Sequence, residues 1–421
     1  MSRLNPHSVR FTLLLASLVT LASFATDMGL PVLAETGASL GVTPATAALT
    51  MSVFMIGFAF GPLVVAPISD RYGRRKLLLG GVATFALFGV LGAFAQSLGA
   101  LLTWRLLMGV GAGTAQVLVI ATIRDLFTGA EARTRQSYVN LASGLAPIIA
   151  PTLGAWVASV GGWRAIYGVL AGGAVVVLAL GARNLHETAP LTGKSLTLRG
   201  TMRSYARVLR HPLTIGYALV VALGFGNLFA YVSGSSLVLI GVMGVSQSTY
   251  GLLFACTSLG LIVGSATNAR LNRKGVSHTL LITVGMTVIL AVALLLLGLA
   301  ASGLLTAGLL VPLIVVSFVG HAVVRANAVQ GALEPVPEIA GVASAVLTGL
   351  QMIFGASASA IAAALFDGTS ALAMTGTMAV CAVLAYGVYF LIVRPAERRF
   401  RAGHPHVHTE ELEVYAEGVT T

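Results

Sequence analysis

The sequence predicts an all-α membrane protein of twelve transmembrane helices in two pseudo-symmetric six-helix bundles, and three observations lead there. Of 421 residues, 57% are hydrophobic and only 9% charged. A soluble domain carries roughly a quarter charged residues, so this apolar content exceeds what one globular core can hold and lipid must cover much of it. The apolar residues also fall in twelve blocks of about 20, the length a helix needs to cross a hydrocarbon layer roughly 30 Å thick. Finally, the longest polar interruption, residues 183–211 with Lys194, Arg199, Arg203, Arg207 and Arg210, divides the blocks six and six. The expected organisation is a bundle over 1–183, a cytoplasmic linker over 184–212, a second bundle over 213–393 and a cytoplasmic tail over 394–421.

The spans are placed at 11–33, 45–68, 77–95, 99–122, 138–160, 164–183, 213–233, 250–269, 278–299, 304–330, 341–366 and 371–393. The first runs past 20 residues without a small-residue cleavage pattern, so it is read as a retained helix and not a signal peptide. With the amino terminus inside, 22 of the 25 Lys and Arg fall on cytoplasmic segments; Arg164 lies in an outer loop and Arg105 and Arg325 lie within spans. That asymmetry is the positive-inside signature, and it accounts for the net charge of +11 without nucleic acid. Both termini are therefore expected in the cytoplasm. Cys256 and Cys381 sit in mid-span and read as small core residues, not as a disulfide or metal pair.

Span one holds a single acid, Asp27. A carboxylate inside the membrane is costly enough that a functional role is the default reading, although Pro31 leaves open an acid bathed by water at the helix end. Span two closes with Asp70-Arg71-Tyr72-Gly73-Arg74-Arg75-Lys76. There Gly73 relieves a tight turn and the cations face the cytoplasm. Topology does not explain Asp70, which would gain by facing a helix amino terminus or a cation as a gate latch, with Arg124 and Asp125 at the inner end of span four as candidate partners. Arg105 lies roughly 9 Å below the outer end of span four, the depth of Asp27 in span one. The two can pair directly or through water, as a static pair or as one that exchanges with a proton.

Span five carries Gly144, Ala146, Pro147, Ala150, Pro151 and Gly154, a pattern that predicts close helix packing with a bend. Span eight ends in Ala269-Arg270-Leu271-Asn272-Arg273-Lys274, an echo of the end of span two in which Ala269 replaces Asp70. Two parallel six-helix repeats follow. In span ten His321 and Arg325 lie one turn apart; the arginine must face water, an acid or carbonyls, or snorkel to the inner surface. Phe54, Phe58, Met108, Gln116, Phe225, Asn227, Tyr231, Phe254, Asn327, Gln351 and Phe354 join Asp27 as candidate lining of a central cavity, the aromatics being equally suited to core or lipid. In the tail His404, His406 and His408 are spaced two apart, a metal-capable spacing read here as a solvated tail. No Walker loop, Rossmann fingerprint, HExxH or nucleophile constellation appears, so ATP-driven transport and soluble-type enzymology lack support.

Taken together, these motifs resemble the major facilitator superfamily, and within it the bicyclomycin and chloramphenicol resistance type of drug:proton antiporter, the Bcr/CflA branch. The resemblance covers nearly the whole chain. It is carried by Thr26 to Pro31, the turn through Lys76, Arg105 to Gly113, Ile123 to Phe127, Ala146 to Gly154, His186 to Thr188, Tyr231 to Ser235 and Ala340 to Ala345. It implies the superfamily's fold and alternating access, with Asp27 as the acid that binds protons or cationic drug and Arg105 as the arginine of proton coupling. The block of Gly144, Pro147, Pro151 and Gly154 looks like the antiporter motif, and Asp70, Gly73, Arg74 and Arg75 look like the inner-gate motif. Ala66 stands where the family usually has Gly, and Met108 where it usually has Gln. The implied activity is proton-coupled efflux of phenicols, bicyclomycin or cationic compounds by a monomer in the bacterial inner membrane, with protons as coupling ion and no other cofactor. A proton-coupled carrier of a sugar, amino acid or siderophore on the same fold stays open, as does a transport-dead membrane sensor or membrane enzyme.

Overall fold

A computed structural model describes residues 4–188 and 198–403, without the side chains of residues 66–68, 70, 71, 198, 199, 201 and 401–403. The tail histidines His404, His406 and His408 lie outside the described residues. All the regular elements among the described residues are helices. Helix α1 spans Val9–Asp27 and stops because Pro31 has no N–H to continue it; a short 3₁₀ turn, Leu30–Val32, leads into α2, Leu33–Ser39. Then follow α3 (Pro44–Tyr72), α4 (Arg74–Ala93), α5 (Leu98–Leu126) and α6 (Gly129–Asn184). The 56 residues of α6 would measure about 84 Å as one rod, more than twice the hydrocarbon thickness. It is two spans joined at Gly161 and Gly162, where φ turns to 68° at Gly162. The carboxylate of Glu35 accepts from the backbone N–H of Trp163 at 3.0 Å and caps the helix that restarts there. Among the described residues eleven helical segments are long and apolar enough to cross a membrane; because α6 crosses twice, these make the twelve crossings expected.

The second half holds α8 (Pro212–Ser236), α9 (Gln247–Arg273), α10 (His278–Ala301), α11 (Ala307–Leu333), α12 (Ala340–Ala364) and α13 (Leu372–Val388), followed by α14 (Arg394–Gly403). Between the halves lies α7 (Leu198–Arg210), a helix that apolar periodicity does not reveal in so basic a segment. It is held by Val208, buried against Val336, Ala343 and Val346. Span five begins at Gly129 instead of 138, because the helix continues out of the lipid through the charged stretch that follows Thr128.

In lipid, helices gain little from apolar contact as such, so close backbone approach at small residues holds them together. In the first half Gly57 and Gly61 of α3 lie against the backbone of α5 at Leu106 and Val110, while Gly109 and Gly113 of α5 lie against Phe54 and Phe58. In the second half Gly260 and Gly264 of α9 meet the carbonyls of Val315 and Val319 in α11. The same contact is thus built twice, once in each repeat.

The halves meet at the face opposite the termini. Leu30 and Met51 join the cluster of Tyr231, Tyr250 and Phe254, Leu33 and Ala48 join Leu237 and Ala363, and the Ser52 hydroxyl donates to Ser359 at 3.0 Å. A mainly apolar recess of about 450 Å³, lined by residues including Leu30, Pro31, Leu237, Ile240 and Phe366, opens there. Asp367 stands at its rim, with its carboxyl held down to about 2 by the Thr369 N–H and by the N–H and hydroxyl of Ser370.

A methyl group at Gly57 would collide with the Leu106 carbonyl, a backbone atom that cannot swing aside, whereas Gly80 has nothing within 4 Å. Gly57→Ala is therefore expected to destabilise the first half by about 1–3 kcal/mol, read as a lower unfolding temperature in detergent beside an unchanged Gly80→Ala control. Equal temperatures for both variants would contradict the packing described.

Candidate functional site

Arg105 is buried in α5 near the end of α1. Its Nη1 donates to the Ala25 carbonyl at 2.9 Å and its Nε to the Thr50 carbonyl at 3.2 Å, and its guanidinium lies 4.5 Å from the Phe54 ring centre. The cation therefore meets the carbonyl end of α1, where the helix dipole is negative, and ties α1 and α3 to α5. A cavity of about 20 Å³ beside it, lined by Thr26, Thr50, Tyr167 and others, is just large enough for one water.

Asp27 does not pair with Arg105. Matched depth is present, but α1 turns the acid toward the other half while Arg105 turns into its own. The Asp27 side chain is buried, and among the described residues no cation or hydrogen-bond donor holds it. It lies within electrostatic reach of the Tyr250 hydroxyl, which is bonded to the Ser235 hydroxyl at 2.9 Å. The sequence reading missed Tyr250; only its place one turn before Phe254 hinted at it. Tyr231 packs edge-on against Phe318 at 5.6 Å and donates to Thr257 at 3.4 Å, so Tyr231, Tyr250 and Phe254 form an aromatic cluster that comes near the acid at Tyr250.

Other expected cavity residues are placed elsewhere. Phe54, Phe58 and Met108 pack into the core of the first half. Asn227 donates to the Met378 carbonyl at 2.7 Å and joins His321 at 2.9 Å, and Asn327 donates to Asn268 at 2.6 Å. Both amides are bound inside the second half, because a polar side chain in lipid needs a partner from a neighbouring helix. Gln351 is buried in α12, Gln116 is half-buried in α5, and Phe225 and Phe354 are half-buried in α8 and α12.

At the face carrying the termini, Gly73 takes φ 92° to join α3 to α4. Arg74 forms an ion pair with Asp125 and also donates to the Ser69 hydroxyl at 2.9 Å. Glu187, beyond the end of α6, accepts from the N–H of Arg74 at 2.7 Å and of Arg75 at 3.3 Å, and caps the amino terminus of α4. A side chain on residue 73 would strike that carboxylate, so this glycine serves both the turn and the cap. Asp125 is thus held by Arg74, while Arg124 reaches across to Gly341 of the second half, at 3.3 Å from where a Cβ would stand. The side chains of Asp70 and Arg71 lie outside the described residues. Arg75 also donates to the Ala182 carbonyl at 2.6 Å.

The small-residue block of span five works only in part as expected. Gly154 lets α6 touch the Met28 carbonyl, next to Asp27, but Gly144 is exposed with nothing within 4 Å. Pro147 and Pro151 lie in continuous helix; the break falls at Gly161 and Gly162. Thr152, near Gly154, meets Gly251 of α9 across the seam.

The sequence model of the Major Facilitator Superfamily matches residues 14–359. The chain is 30% identical over 394 residues to the bicyclomycin resistance protein homolog of Haemophilus influenzae, covering 92% of this chain and 98% of that one. It is 33% identical over 291 residues to the chloramphenicol resistance protein of Pseudomonas aeruginosa, covering 68% of this chain and 67% of the relative. In fold it is similar to the POT family transporter PepTSo, with a TM-score of 0.74 at 14% identity over 93% of this chain and 99% of that one. A bacterial homolog of the lysosomal transporter Spinster gives 0.72 at 16% identity over 94% and 98%.

Arg74 is 5% exposed and ion-paired with Asp125, so removing either side chain takes a charged partner from a largely buried pair. Asp125→Asn and Arg74→Gln are each expected to lower the unfolding temperature, and the double variant to lose less than their sum. A cycle coupling of about 1 kcal/mol or more is expected; strictly additive losses would show that the pair does not hold the turn.

Proposed function

Because the chain belongs to the major facilitator superfamily and folds as a multi-pass membrane transporter, we propose that it exports small drug-like molecules across the bacterial inner membrane in exchange for protons, with both termini in the cytoplasm. Resistance to bicyclomycin and chloramphenicol, named in its relatives, indicates the kind of cargo. The concentration of Lys and Arg on the face of the termini supports the orientation. The monomer is the working unit, since one chain supplies both halves of the seam.

The observation that carries this reading is Asp27, a buried carboxylate at the seam with no cation among the described residues. In an apolar setting its charge has to be met by a proton or by the substrate. Proton and drug then compete for one group, which is the simplest form of exchange. Arg105 is a positioning residue: it holds the carbonyl end of α1, and so sets the place of the acid two residues on. Gly154 against Met28 lets the span five segment follow the same point. In alternating access the halves rock about this seam; the turn bearing Arg74, Asp125 and Glu187, with Arg124 against Gly341, closes the cytoplasmic side.

Asp27→Asn is expected to abolish proton-driven efflux in proteoliposomes with an imposed pH gradient while the protein still reaches the membrane; undiminished efflux removes Asp27 from the coupling role. Arg105→Lys keeps the charge but loses the guanidinium fork that serves two carbonyls. Efflux is expected to fall about tenfold or more, the worth of one charged hydrogen bond. A resistance profile of overproducing cells against phenicols, bicyclomycin, quinolones and quaternary cations checks the cargo, and unchanged sensitivity to all four contradicts export of drugs.

A further inference from the structure

Arg325 stands on the interior stripe of α11. Its neighbours on that face, Phe318, His321, Ala328 and Ala332, are all buried, yet Arg325 itself is exposed. The exposed side of the helix, with Val316, Ala326 and Gln330, lies roughly 100° or more around from it. What reaches Arg325 is therefore not lipid but the space enclosed by neighbouring helices. On one side His321 and Phe318 contact Asn227 and Tyr231 of α8; on the other Val315 and Val319 pack against Gly260 and Gly264 of α9. Arg325 faces the gap between α8 and α9, the side on which Tyr231 and Phe254 stand in the aromatic cluster.

Snorkelling does not account for it. The helix runs toward the face of the termini, and side chains lean toward a helix's amino terminus, so this one leans into the membrane and away from that face. Among the described residues no carboxylate, carbonyl or ring holds the guanidinium. A cation so placed is costly, and an intramembrane arginine that protein groups leave free is suited to a mobile partner. Its planar fork matches a carboxylate with two parallel bonds.

The repeat sharpens the placement. Arg325 is 18 residues into α11 and Gln116 is 18 residues into α5, the matching helix of the other half, so an amide and a guanidinium occupy one level of the two repeats. Measured from the face of the termini, Asp27 lies 18 residues up α1 and Arg325 eight residues up α11, a difference of about 15 Å. Their opposed leanings shorten this, leaving a length that suits a molecule of two or three rings.

We propose that Arg325 is a substrate-binding residue that takes the carboxylate of an acidic, otherwise apolar compound, so that this transporter's cargo includes carboxylic acids as well as neutral drugs. The proposal rests on the export reading above and names a substrate class for it.

The test compares a quinolone carboxylic acid with its methyl ester, in wild type, Arg325→Gln and Arg325→Lys, by binding to the purified full chain in detergent and by efflux from cells. Arg325→Gln is expected to weaken binding and efflux of the acid about tenfold or more while the ester changes less than about twofold, and Arg325→Lys to retain part of the preference for the acid. Equal effects on acid and ester, no effect on either, or a wild type that handles only the ester would overturn the assignment. In the last case export of the ester leaves the drug-export reading standing; that reading fails only if wild type exports neither compound nor any other drug tested.

Discussion

Lipid offers a helix neither a hydrogen-bond partner nor much gain from burying apolar surface against another helix. The chain's architecture answers both conditions at once. Contact comes from glycines that bring backbones together, at Gly57, Gly61, Gly109 and Gly113 in one half and at Gly260 and Gly264 in the other. Polar satisfaction comes from hydroxyls folded back on their own helices, such as Thr122 on Leu118 and Ser258 on Phe254, and from amides bridging helices, as Asn227 and Asn327 do. Once these needs are met internally, a charged group left unmet inside the membrane stands out, and among the described residues Asp27 and Arg325 are two such groups.

The same condition explains why Arg105 and Asp27 part company. An arginine in the membrane needs acceptors, and the helix end created by Gly29 and Pro31 offers carbonyls at no further desolvation of a carboxylate. Taking the Ala25 and Thr50 carbonyls lets Arg105 be satisfied in every state of Asp27. Had the two formed a buried pair, adding a proton to the acid would have stranded the guanidinium. In the proposed exchange, separating them leaves the acid free to change charge while the hydrogen bonds of Arg105 to the Ala25 and Thr50 carbonyls stay intact.

Much of this was legible in the sequence because spans, orientation and repeats depend on composition, length and charge placement, all local properties. The twelve crossings and the turn at Gly73 could be read that way. Directions around a helix could not. Asp27 and Arg105 share a depth, which residue counting shows, but which way each faces depends on the packing of α1 against α5 and α6. Asn227 and Asn327 looked like cavity polar groups and proved to be internal ties for the same reason. Glu35 and Glu187 were invisible as caps because each serves a helix far along the chain, Trp163 and Arg74 respectively.

The repeats share a skeleton but not a chemistry, and the difference bears on how transport can work. The first half supplies the acid, the arginine that fixes its helix end and the Arg74–Asp125 turn; the second supplies the aromatic cluster and Arg325, and has Ala269 where the first has Asp70. If the second half carried a buried acid at the seam as the first does in Asp27, and not only the exposed Asp367 at the rim, protonation would have to be matched on two sides before the halves could part. In the proposed exchange, with one buried acid beside the aromatic cluster at Tyr250, a single proton decides whether that part of the seam carries a charge. A charge facing aromatic rings across a closing seam is unfavourable, and the protonated acid removes that penalty. On the export reading proposed above, asymmetry between the repeats is thus what allows one proton to bias a motion that symmetry between their skeletons makes possible.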